Sequence, residues 1–287
     1  MTALVEIPRH VARAALAGAL YVPSMIGGAR KRSLFRDVET YCEFVGYPRS
    51  GHSLVGALLN AHPDMVFAHE LAALRYARLG FGRDQIYWLI LRNARRAARG
   101  GRALGGYVYD VPGQWQGRVR TLRVIGDKEG YGATVRIAAS PAYLRRLRRV
   151  VDARIRFIHV VRNPYDIVTT RARRVRRYAE DPESCIRDLF SLCGTVASFK
   201  ESLSPGEIFE IRHESLLREP RRGLSELCAF LGVDPAEDWI RDCVGILYEK
   251  PNKSRFAGPV TWTPDLVELV RGQMSRFPFL RGYAFEE

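Results

Sequence analysis

The segment Gly46-Tyr-Pro-Arg-Ser-Gly-His-Ser53 has the glycine and serine spacing of a phosphate-binding P-loop, G-x-x-x-x-G-K-[ST]. It follows an apolar run, Tyr41–Tyr47, that predicts a strand, and it precedes Leu54–Ala61, which predicts a helix. Backbone N–H groups in such a turn, together with the positive end of a helix dipole, bind an anion. Because His52 stands where a P-loop has its lysine, the segment predicts an anion site that lacks the lysine used in triphosphate chemistry.

Two further groups of polar residues lie at or beyond the ends of predicted strands. His69 and Glu70 follow the apolar run Met65–Ala68, and Lys128 follows a run that ends at Ile125. Glutamate and histidine side chains serve as general bases, so His69 and Glu70 are candidates for proton transfer. Lys128 is a candidate functional residue because the chain has so few lysines.

These candidates require a parallel α/β fold to bring them together. Five short apolar segments predict strands, and six longer segments between them predict helices. The predicted strands are Tyr41–Tyr47, Met65–Ala68, Thr121–Ile125, Arg156–Val161 and Glu207–Arg212, and the predicted helices are Leu54–Ala61, Gln85–Ala98, Ala142–Val151, Tyr165–Arg177, Ser184–Glu201 and Leu224–Leu231. Strands that alternate with helices predict a mostly parallel central sheet with helices on both faces. Gly100–Gly117, rich in glycine and aromatic residues, is expected to form a long loop outside the sheet.

The composition favours an anionic ligand. The chain has 287 residues and a formal net charge of +14, and only five of its 45 Lys and Arg residues are lysine. Arginine binds phosphate and sulfate groups in a bidentate manner, although most of these arginines are expected on a solvated surface. The charge alone also fits a nucleic-acid-binding module. However, the sequence has no RNA-recognition or helix-turn-helix signature, and we expect no nucleic-acid partner.

The cysteines and the N-terminal segment bear on location and domain organisation. Five scattered cysteines without C-x-x-C spacing predict neither disulfides nor a zinc site. We expect a lead-in segment at 1–36 and a single domain at 37–287. The composition, rich in Arg, Ala and Gly, together with the absence of an evident signal sequence, predicts a bacterial cytoplasmic protein. The Ala-, Gly- and Leu-rich stretch within 9–32, followed by Arg30-Lys-Arg32, predicts either a helix packed on the domain or peripheral contact with an anionic membrane.

The polar segments resemble those of sulfotransferases that use 3′-phosphoadenosine 5′-phosphosulfate (PAPS). Pro48-Arg-Ser-Gly-His-Ser-Leu54 is similar to the 5′-phosphosulfate loop, P-R-S-G-T-T-L, of that family. Arg162-Asn-Pro-Tyr-Asp-Ile-Val-Thr-Thr170 resembles the 3′-phosphate segment, R-[ND]-P-x-x-x-x-x-S. Two later parts, Ile211–Gly232 and Asn252–Tyr283, are similar to the R-Y-E-x-L-x-x-x-P, F-L-G and closing segments. The order of the segments is that of the family, and the tyrosylprotein-, carbohydrate- and bacterial-type enzymes have the most similar pattern.

The resemblance implies a set of donor-binding residues and no metal ion. Arg49 and the amides of the loop would hold the 5′-phosphosulfate, and Arg162 with Thr170 would hold the 3′-phosphate. The implied donor site comprises Arg49, Ser50, Gly51, His52, Ser53, Leu54, Arg162, Thr170, His213, Ser254 and Arg255. Four positions depart from the family pattern, because His52-Ser53 replaces Thr-Thr, Thr170 replaces serine and His213 replaces tyrosine.

The resemblance also implies catalytic roles. Glu70 matches the catalytic glutamate of the tyrosylprotein type and is the predicted general base, with His69 as its competitor. Lys128, in the G-D-K segment, is expected to contact the transferred sulfonate, while Arg49 neutralises the leaving phosphate. Asp127 is expected to organise a turn, and His159, inside an apolar strand, is expected in the core.

The predicted function is sulfuryl transfer from PAPS to an acceptor hydroxyl by in-line, metal-independent displacement. The acceptor is a sugar, a lipid or a phenol, since related enzymes act on all three. Two alternatives remain from the residues themselves: a P-loop kinase with a degenerate loop, and a relative that binds the donor without turnover. Four aromatic residues either line an acceptor pocket or belong to the core: Tyr76, Phe81, Tyr87 and Trp88.

Overall fold

The computed structural model describes residues 9–99, 103–104, 107–248 and 251–286. The strands are, in chain order, β1 (Thr40–Val45), β2 (Met65–His69), β3 (Ala103–Leu104), β4 (Tyr107–Val108), β5 (Val124–Gly130), β6 (Arg154–Val161) and β7 (Ile208–Arg212). The helices are α1 (Arg9–Lys31), α2 (His52–Leu59), α3 (Ala73–Arg78), α4 (Arg83–Arg99), α5 (Tyr131–Ala139), α6 (Ala142–Val150), α7 (Pro164–Ala172), α8 (Arg176–Glu180), α9 (Pro182–Glu201), α10 (His213–Arg218), α11 (Pro220–Leu231), α12 (Glu237–Ile246) and α13 (Pro264–Met274), with 3₁₀ turns at Ser254–Phe256 and Pro278–Leu280.

Five strands form one sheet in the order β2-β5-β1-β6-β7, and every pairing in it is parallel. The predicted parallel sheet is therefore confirmed. Every residue of β1 is buried, as expected for a central strand covered on both faces. Because the strands are parallel, the loops that follow β1, β2 and β6 leave the same edge of the sheet. That edge carries the candidate residues.

Helices cover both faces of the sheet around separate groups of buried side chains. Tyr41 and Val45 of β1 pack on the face that α4 covers, among residues such as Ile86 and Ile90. Phe44 points to the opposite face, where it packs with Leu58 of α2 and with residues of α11 and α12. The alternation along β1 follows from the two-residue period of a strand.

Strand β5 differs from its prediction. The apolar run ends at Ile125, and the polar residues after it predict a loop, but the strand continues to Gly130. The polar residues remain in the ladder because β5 pairs with β1 and β2, with Lys128 opposite His69 and Asp127 opposite Glu43. Lys128 therefore lies on a strand of the sheet rather than on a loop.

Several helix boundaries were also predicted wrongly. Three helices begin at a proline that directly follows a polar N-cap residue. The N-cap residues are Asn163, Asp181 and Thr263, and each side chain accepts a backbone N–H of the first turn. The segment predicted as one helix from Tyr165 breaks at 173–175, where Arg171 turns its guanidinium onto the ring of Tyr178. Six helices were not predicted: α3, α5, α8, α10, α12 and α13.

Other features of the sequence have clear structural outcomes. All five cysteines are buried and free. The expected loop at Gly100–Gly117 is described only in part, since 100–102 and 105–106 lie outside the described residues. In the described part, β3 pairs with β4 in an antiparallel manner, and the Trp115 N–H donates to the Ala61 carbonyl at 3.1 Å. Within the described ranges, no helix is long and apolar enough to cross a membrane.

Candidate functional site

The segment between β1 and α2 forms a tight loop at the edge of the sheet. Three of its residues have left-handed backbone angles, with φ of 140° at Gly46, 72° at Arg49 and 108° at Gly51. These angles turn the chain so that α2 begins at His52. Within the described ranges, the backbone N–H groups of the run 50–53 have no hydrogen-bond acceptor. Four unpaired amides at the start of a buried helix form a site for an anion.

Leu54 differs from its predicted donor-binding role. Its N–H donates to the Gly51 carbonyl at 3.0 Å, so this amide already has an acceptor within the loop. The Ser50 hydroxyl donates to the Tyr47 carbonyl at 3.2 Å and stabilises the turn. Only the backbone N–H of Ser50 remains available to an anion.

His52 does not replace the P-loop lysine. Its imidazole lies beneath the loop, with Nε2 at 3.1 Å from the Val45 carbonyl. A Cβ atom at Gly46 would lie 2.8 Å from this ring, and a Cβ atom at Gly130 would lie 2.6 Å from it. Burial, reinforced by His159 and Lys128, lowers the pKa of His52 to about 3. The imidazole is therefore neutral near pH 7, and only the backbone N–H of His52 faces the candidate anion site.

The cation that the loop lacks comes from Lys128 on β5. The side chain is only 3% exposed, and its Nζ atom lies 3.3 Å from the Ser53 hydroxyl and 2.9 Å from Glu70 Oε1. The stem passes over α2 at Gly56, where a Cβ atom would lie 2.6 Å from the lysine Cγ. A glycine is required there because any side chain would displace the lysine. Lys128 thus delivers its charge to the first turn of α2 from a neighbouring strand.

The two candidate bases lie next to Lys128. Glu70 has a left-handed backbone with φ of 53°, and its N–H donates to the Lys128 carbonyl. Burial raises the pKa of Glu70, but the ion pair with Lys128 outweighs it and the pKa lies below its ordinary value. The carboxylate is 60% exposed, and it is ionised at neutral pH. It is thus open to an incoming group.

His69 is held mainly through its backbone. Its N–H donates to Asn93 Oδ1 at 2.7 Å, and its carbonyl accepts from Asn93 Nδ2 at 3.4 Å. Sequence reasoning missed Asn93, a polar residue in the middle of the amphipathic helix α4. His69 and Lys128 are register partners on adjacent parallel strands, so their side chains leave the same face of the sheet. Both candidate bases therefore lie beside the same lysine.

A second set of residues converges beside the loop. Arg162 follows β6, and its guanidinium donates to the carbonyls of Arg49 and Asn252 at 3.2 and 3.1 Å and to Ser254 Oγ at 3.3 Å. Thr170 Oγ1 lies 3.1 Å from the same Ser254 hydroxyl. The structure thus brings together Arg162 and Thr170, which the sequence predicts for the 3′-phosphate, and Ser254, which it predicts for the donor site. The contact with the Arg49 carbonyl joins this set directly to the loop.

Arg255 differs from its predicted donor-binding role because its charge is already paired, while His213 packs against the loop of the candidate site. The Arg255 guanidinium, 1% exposed, forms a buried ion pair with Asp166 at 2.6 Å. The backbone N–H of Arg255 also donates to the Asp166 carboxylate. The His213 ring lies against Gly51, where a Cβ atom would come within 2.6 Å of its Nδ1 atom. Burial, with a contribution from Arg162, lowers the pKa of His213 to about 3. Both side chains support the loops that carry the site.

Sequence reasoning also missed Asp166. The only signal for it was an acidic residue in the first turn of α7, a position that the helix dipole favours in any protein. Its carboxylate fixes the chain at 254–255 and thereby places the Ser254 hydroxyl beside Arg162. Asp166 therefore positions a residue of the site without facing it.

Replacement of Gly51 by alanine should weaken the loop. The φ of 108° is strained for alanine, and the added Cβ atom would overlap the His213 ring. We expect Gly51→Ala to cost about 1–3 kcal/mol of unfolding free energy, measured by chemical denaturation. The matched control is Gly194→Ala on α9, where a Cβ atom meets nothing within 4 Å, and it should stabilise the chain by about 0.5–1 kcal/mol. Equal stability of the two variants would contradict this account of the loop.

Three acidic residues gather on the other face of the sheet. Oxygen atoms of Glu43, Asp127 and Glu129 lie within 4.8 Å of one another. Burial, together with mutual repulsion, raises the pKa of Glu129 to about 7 and that of Glu43 well above its ordinary value. Asp127 accepts the N–H groups of Leu71 and Ala73 and so organises the turn after β2, as the sequence predicted. Asp127 thereby fixes the backbone that follows Glu70.

The remaining candidates belong to the core. His159 is fully buried and its Nδ1 atom contacts Glu210 at 3.1 Å, as expected for a core histidine. Tyr76, Phe81 and Tyr87 are at most 5% exposed, and the Tyr87 hydroxyl donates to the Val151 carbonyl. Among the four aromatic residues, these three therefore pack in the core rather than lining an open pocket.

Comparisons with known proteins give a family and a fold. The profile of the sulfotransferase family matches residues 44–238, more than half of the chain. The sulfotransferase domain from the curacin biosynthetic pathway aligns with a TM-score of 0.53 and 15% identity, over 84% of this chain and 98% of that domain. The sulfotransferase domain from the Synechococcus PCC 7002 olefin synthase aligns with a TM-score of 0.50 and 17% identity, over 82% and 94%. No curated protein sequence matches. At these identities the two structures are evidence for the fold alone.

Proposed function

This chain belongs to the sulfotransferase family, and from that premise we propose that it transfers a sulfuryl group from PAPS to an acceptor hydroxyl. The observation that carries the proposal is the pair of adjoining anion sites at one edge of the sheet. The amides of 50–53 form one, and Arg162 with Thr170 and Ser254 forms the other. A donor with a 5′-phosphosulfate and a 3′-phosphate has anionic groups for both sites. Adenosine monophosphate has an anionic group for only one of the two sites.

The roles of the residues at the first site follow from their contacts. When bound, PAPS supplies an activated sulfonate whose departure leaves negative charge on the 5′-phosphate. The amides of 50–53 face an anion in a fixed geometry, which stabilises charge without reorganisation. We assign Arg49 to neutralise the same negative charge on the 5′-phosphate. Lys128 lies between the loop hydroxyl of Ser53 and the carboxylate of Glu70, the position expected for contact with a transferred group.

We assign proton removal to Glu70. Its carboxylate is ionised at neutral pH, is more than half exposed and contacts Lys128 at 2.9 Å. An acceptor hydroxyl has a pKa far above 7, so it needs a base within hydrogen-bond reach. His69, whose register partner is Lys128, stays the alternative base.

The surroundings of Ser53 favour transfer without a metal ion. In P-loop nucleoside triphosphatases, the equivalent hydroxyl binds Mg²⁺. Here the Ser53 hydroxyl accepts from the Lys128 ammonium at 3.3 Å, so a fixed cation of the protein stands beside it. This arrangement disfavours the kinase alternative. Sugars, lipids and phenols all remain possible acceptors, and a bacterial cytoplasmic location stays a prediction.

Calorimetric titration without magnesium tests the donor. We expect 3′-phosphoadenosine 5′-phosphate to bind at least about tenfold more tightly than adenosine monophosphate, because a charged hydrogen-bond partner contributes about 1.5–3 kcal/mol. Arg162→Met should remove this preference while leaving the affinity for adenosine monophosphate nearly unchanged. The control is Arg187→Met, an exposed arginine on α9. Tighter binding of magnesium-ATP, or an unchanged preference in Arg162→Met, would contradict the proposal.

A further inference from the structure

Over residues 17–31, helix α1 turns most of its large apolar side chains outward, although Leu20 packs partly buried against the core. The residues that are fully buried in this part of the helix are small, namely Ala17, Ser24 and Gly28. Four large apolar residues lie on the exposed side, and we call them the α1 ridge: Tyr21 (43% exposed), Val22 (54%), Met25 (52%) and Ile26 (46%). Their spacing of one, four and five residues places them side by side on one face of the helix. An apolar face of this kind on a protein surface indicates an interaction site.

The close approach of α1 to α4 explains why these residues cannot turn inward. A Cβ atom at Gly27 would lie 2.2 Å from the Trp88 ring, and one at Gly28 would lie 2.7 Å from the Asp84 carbonyl. The Gln85 amide also donates to the Tyr21 carbonyl at 3.1 Å. Since only glycine and other small residues fit at this crossing, the α1 ridge is fixed on the outer side.

Basic residues lie at the C-terminal end of α1 and in a groove beside that end. The last turn of α1 carries Arg30 and Lys31, and the helix has no acidic residue. Beside it lies a cavity of about 430 Å³, which we call the basic groove. Its lining consists of Lys31, Trp88, Leu91 and four arginines of α4, Arg92, Arg95, Arg96 and Arg99. No carboxylate lines the groove, so the groove carries a strong positive charge, whereas the cavity against Met25 of the α1 ridge is lined by Arg32 and Arg83 together with Asp84 and Asp152.

We propose that the α1 ridge and the basic groove bind the surface of an anionic lipid bilayer. Apolar side chains on an interfacial helix enter the boundary between headgroups and acyl chains, and neighbouring arginines attract anionic headgroups. The apolar α1 ridge matches the acyl-chain boundary of such a surface, and the basic groove matches its anionic headgroups. It does not match a second copy of the chain, because a two-fold contact through this face would oppose two sets of arginines. The binding is peripheral and is separate from the transfer chemistry.

Co-sedimentation of the full chain with lipid vesicles tests the proposal. One set of vesicles contains phosphatidylcholine alone, and the other contains equal amounts of phosphatidylcholine and phosphatidylglycerol. We expect the protein to sediment with the anionic vesicles and to stay in solution with the neutral ones. The triple variant Val22→Ser, Met25→Ser, Ile26→Ser and the double variant Arg96→Gln, Arg99→Gln should each weaken binding about tenfold or more.

Matched controls change similar residues elsewhere on the surface. Leu269→Ser alters an exposed apolar residue of α13, and the double variant Arg145→Gln, Arg149→Gln removes two exposed arginines of α6. Both should bind the anionic vesicles as the original chain does. Binding of 3′-phosphoadenosine 5′-phosphate by every variant would show that the variants are folded. If the original chain itself does not bind this nucleotide, that result counts against the proposed function and not against membrane binding.

Three results would overturn the proposal. The first is absence of binding to anionic vesicles, and the second is equal binding to both kinds of vesicle. The third comes from sedimentation velocity, if the original chain is a dimer that the triple variant converts to a monomer. In that case, a second copy of the chain covers the α1 ridge.

Discussion

Replacement of Glu70 by glutamine should lower kcat for sulfuryl transfer by about 10²- to 10⁴-fold, the range that a general base contributes. The amide keeps the size of the side chain and can still accept from Lys128, but it cannot take a proton. Since the side chain is 60% exposed and the amide oxygen still accepts from the buried Lys128 ammonium, the replacement should leave the thermal stability nearly unchanged. Transfer of labelled sulfate from PAPS at saturating acceptor measures the effect.

His69→Gln is the matched comparison, because it removes the competing base from the adjacent position. The pH dependence of kcat/KM separates the two candidates. The lowered pKa of Glu70 places the acid limb of the profile below pH 4.5, whereas a histidine base with an ordinary pKa would place it at about pH 6.5. A larger loss of kcat in His69→Gln, with a limb near pH 6.5 in the unchanged chain, would assign the base to His69.

Replacement of Lys128 by methionine should lower kcat by about 10²- to 10³-fold, the loss that follows removal of one preorganised donor from a reacting group. Methionine keeps an unbranched stem that fits over Gly56 but carries no charge. Because the amides of the loop and Arg162 remain, the affinity for 3′-phosphoadenosine 5′-phosphate should change far less than kcat. Single-turnover transfer and calorimetry of the same variant measure the two effects.

Arg145→Met is the control for loss of one positive charge, since this arginine is exposed on α6. It should leave both kcat and donor affinity unchanged. If Lys128→Met reduced donor affinity as strongly as kcat, Lys128 would act in ground-state binding rather than on the transferred group. If neither value changed, the assignment of Lys128 to the transferred sulfonate would be wrong.

The local structure around the candidate site could be predicted from short stretches of sequence. The glycine spacing after β1 predicted a tight turn between a strand and a helix, because left-handed backbone angles at Gly46 and Gly51 are a local requirement. The Arg162–Thr170 segment was expected to place an arginine after a strand and a hydroxyl on the following helix, and the structure has them there. The parallel sheet followed from the alternation of apolar runs with helical segments.

The parts that depend on distant residues were not predictable in this way. The side chain of His52 points below the loop because Gly46 and Gly130 leave space there, and Gly130 belongs to another strand. Arg255 pairs with Asp166, which is distant in sequence, so its local motif could not indicate that its charge is already used. The outward face of α1 likewise depends on how closely its glycines approach Trp88 of α4.

The passage of Lys128 over Gly56 has a consequence for how the anion site forms. A P-loop with its own lysine is complete once a single strand, turn and helix have folded. In this protein the loop and its cation belong to strands that are far apart in the chain and adjacent in the sheet. The site therefore has a high contact order and is assembled only when β1 and β5 have paired. Donor binding then reports completed tertiary structure, and an isolated loop-helix fragment would hold an anion only weakly.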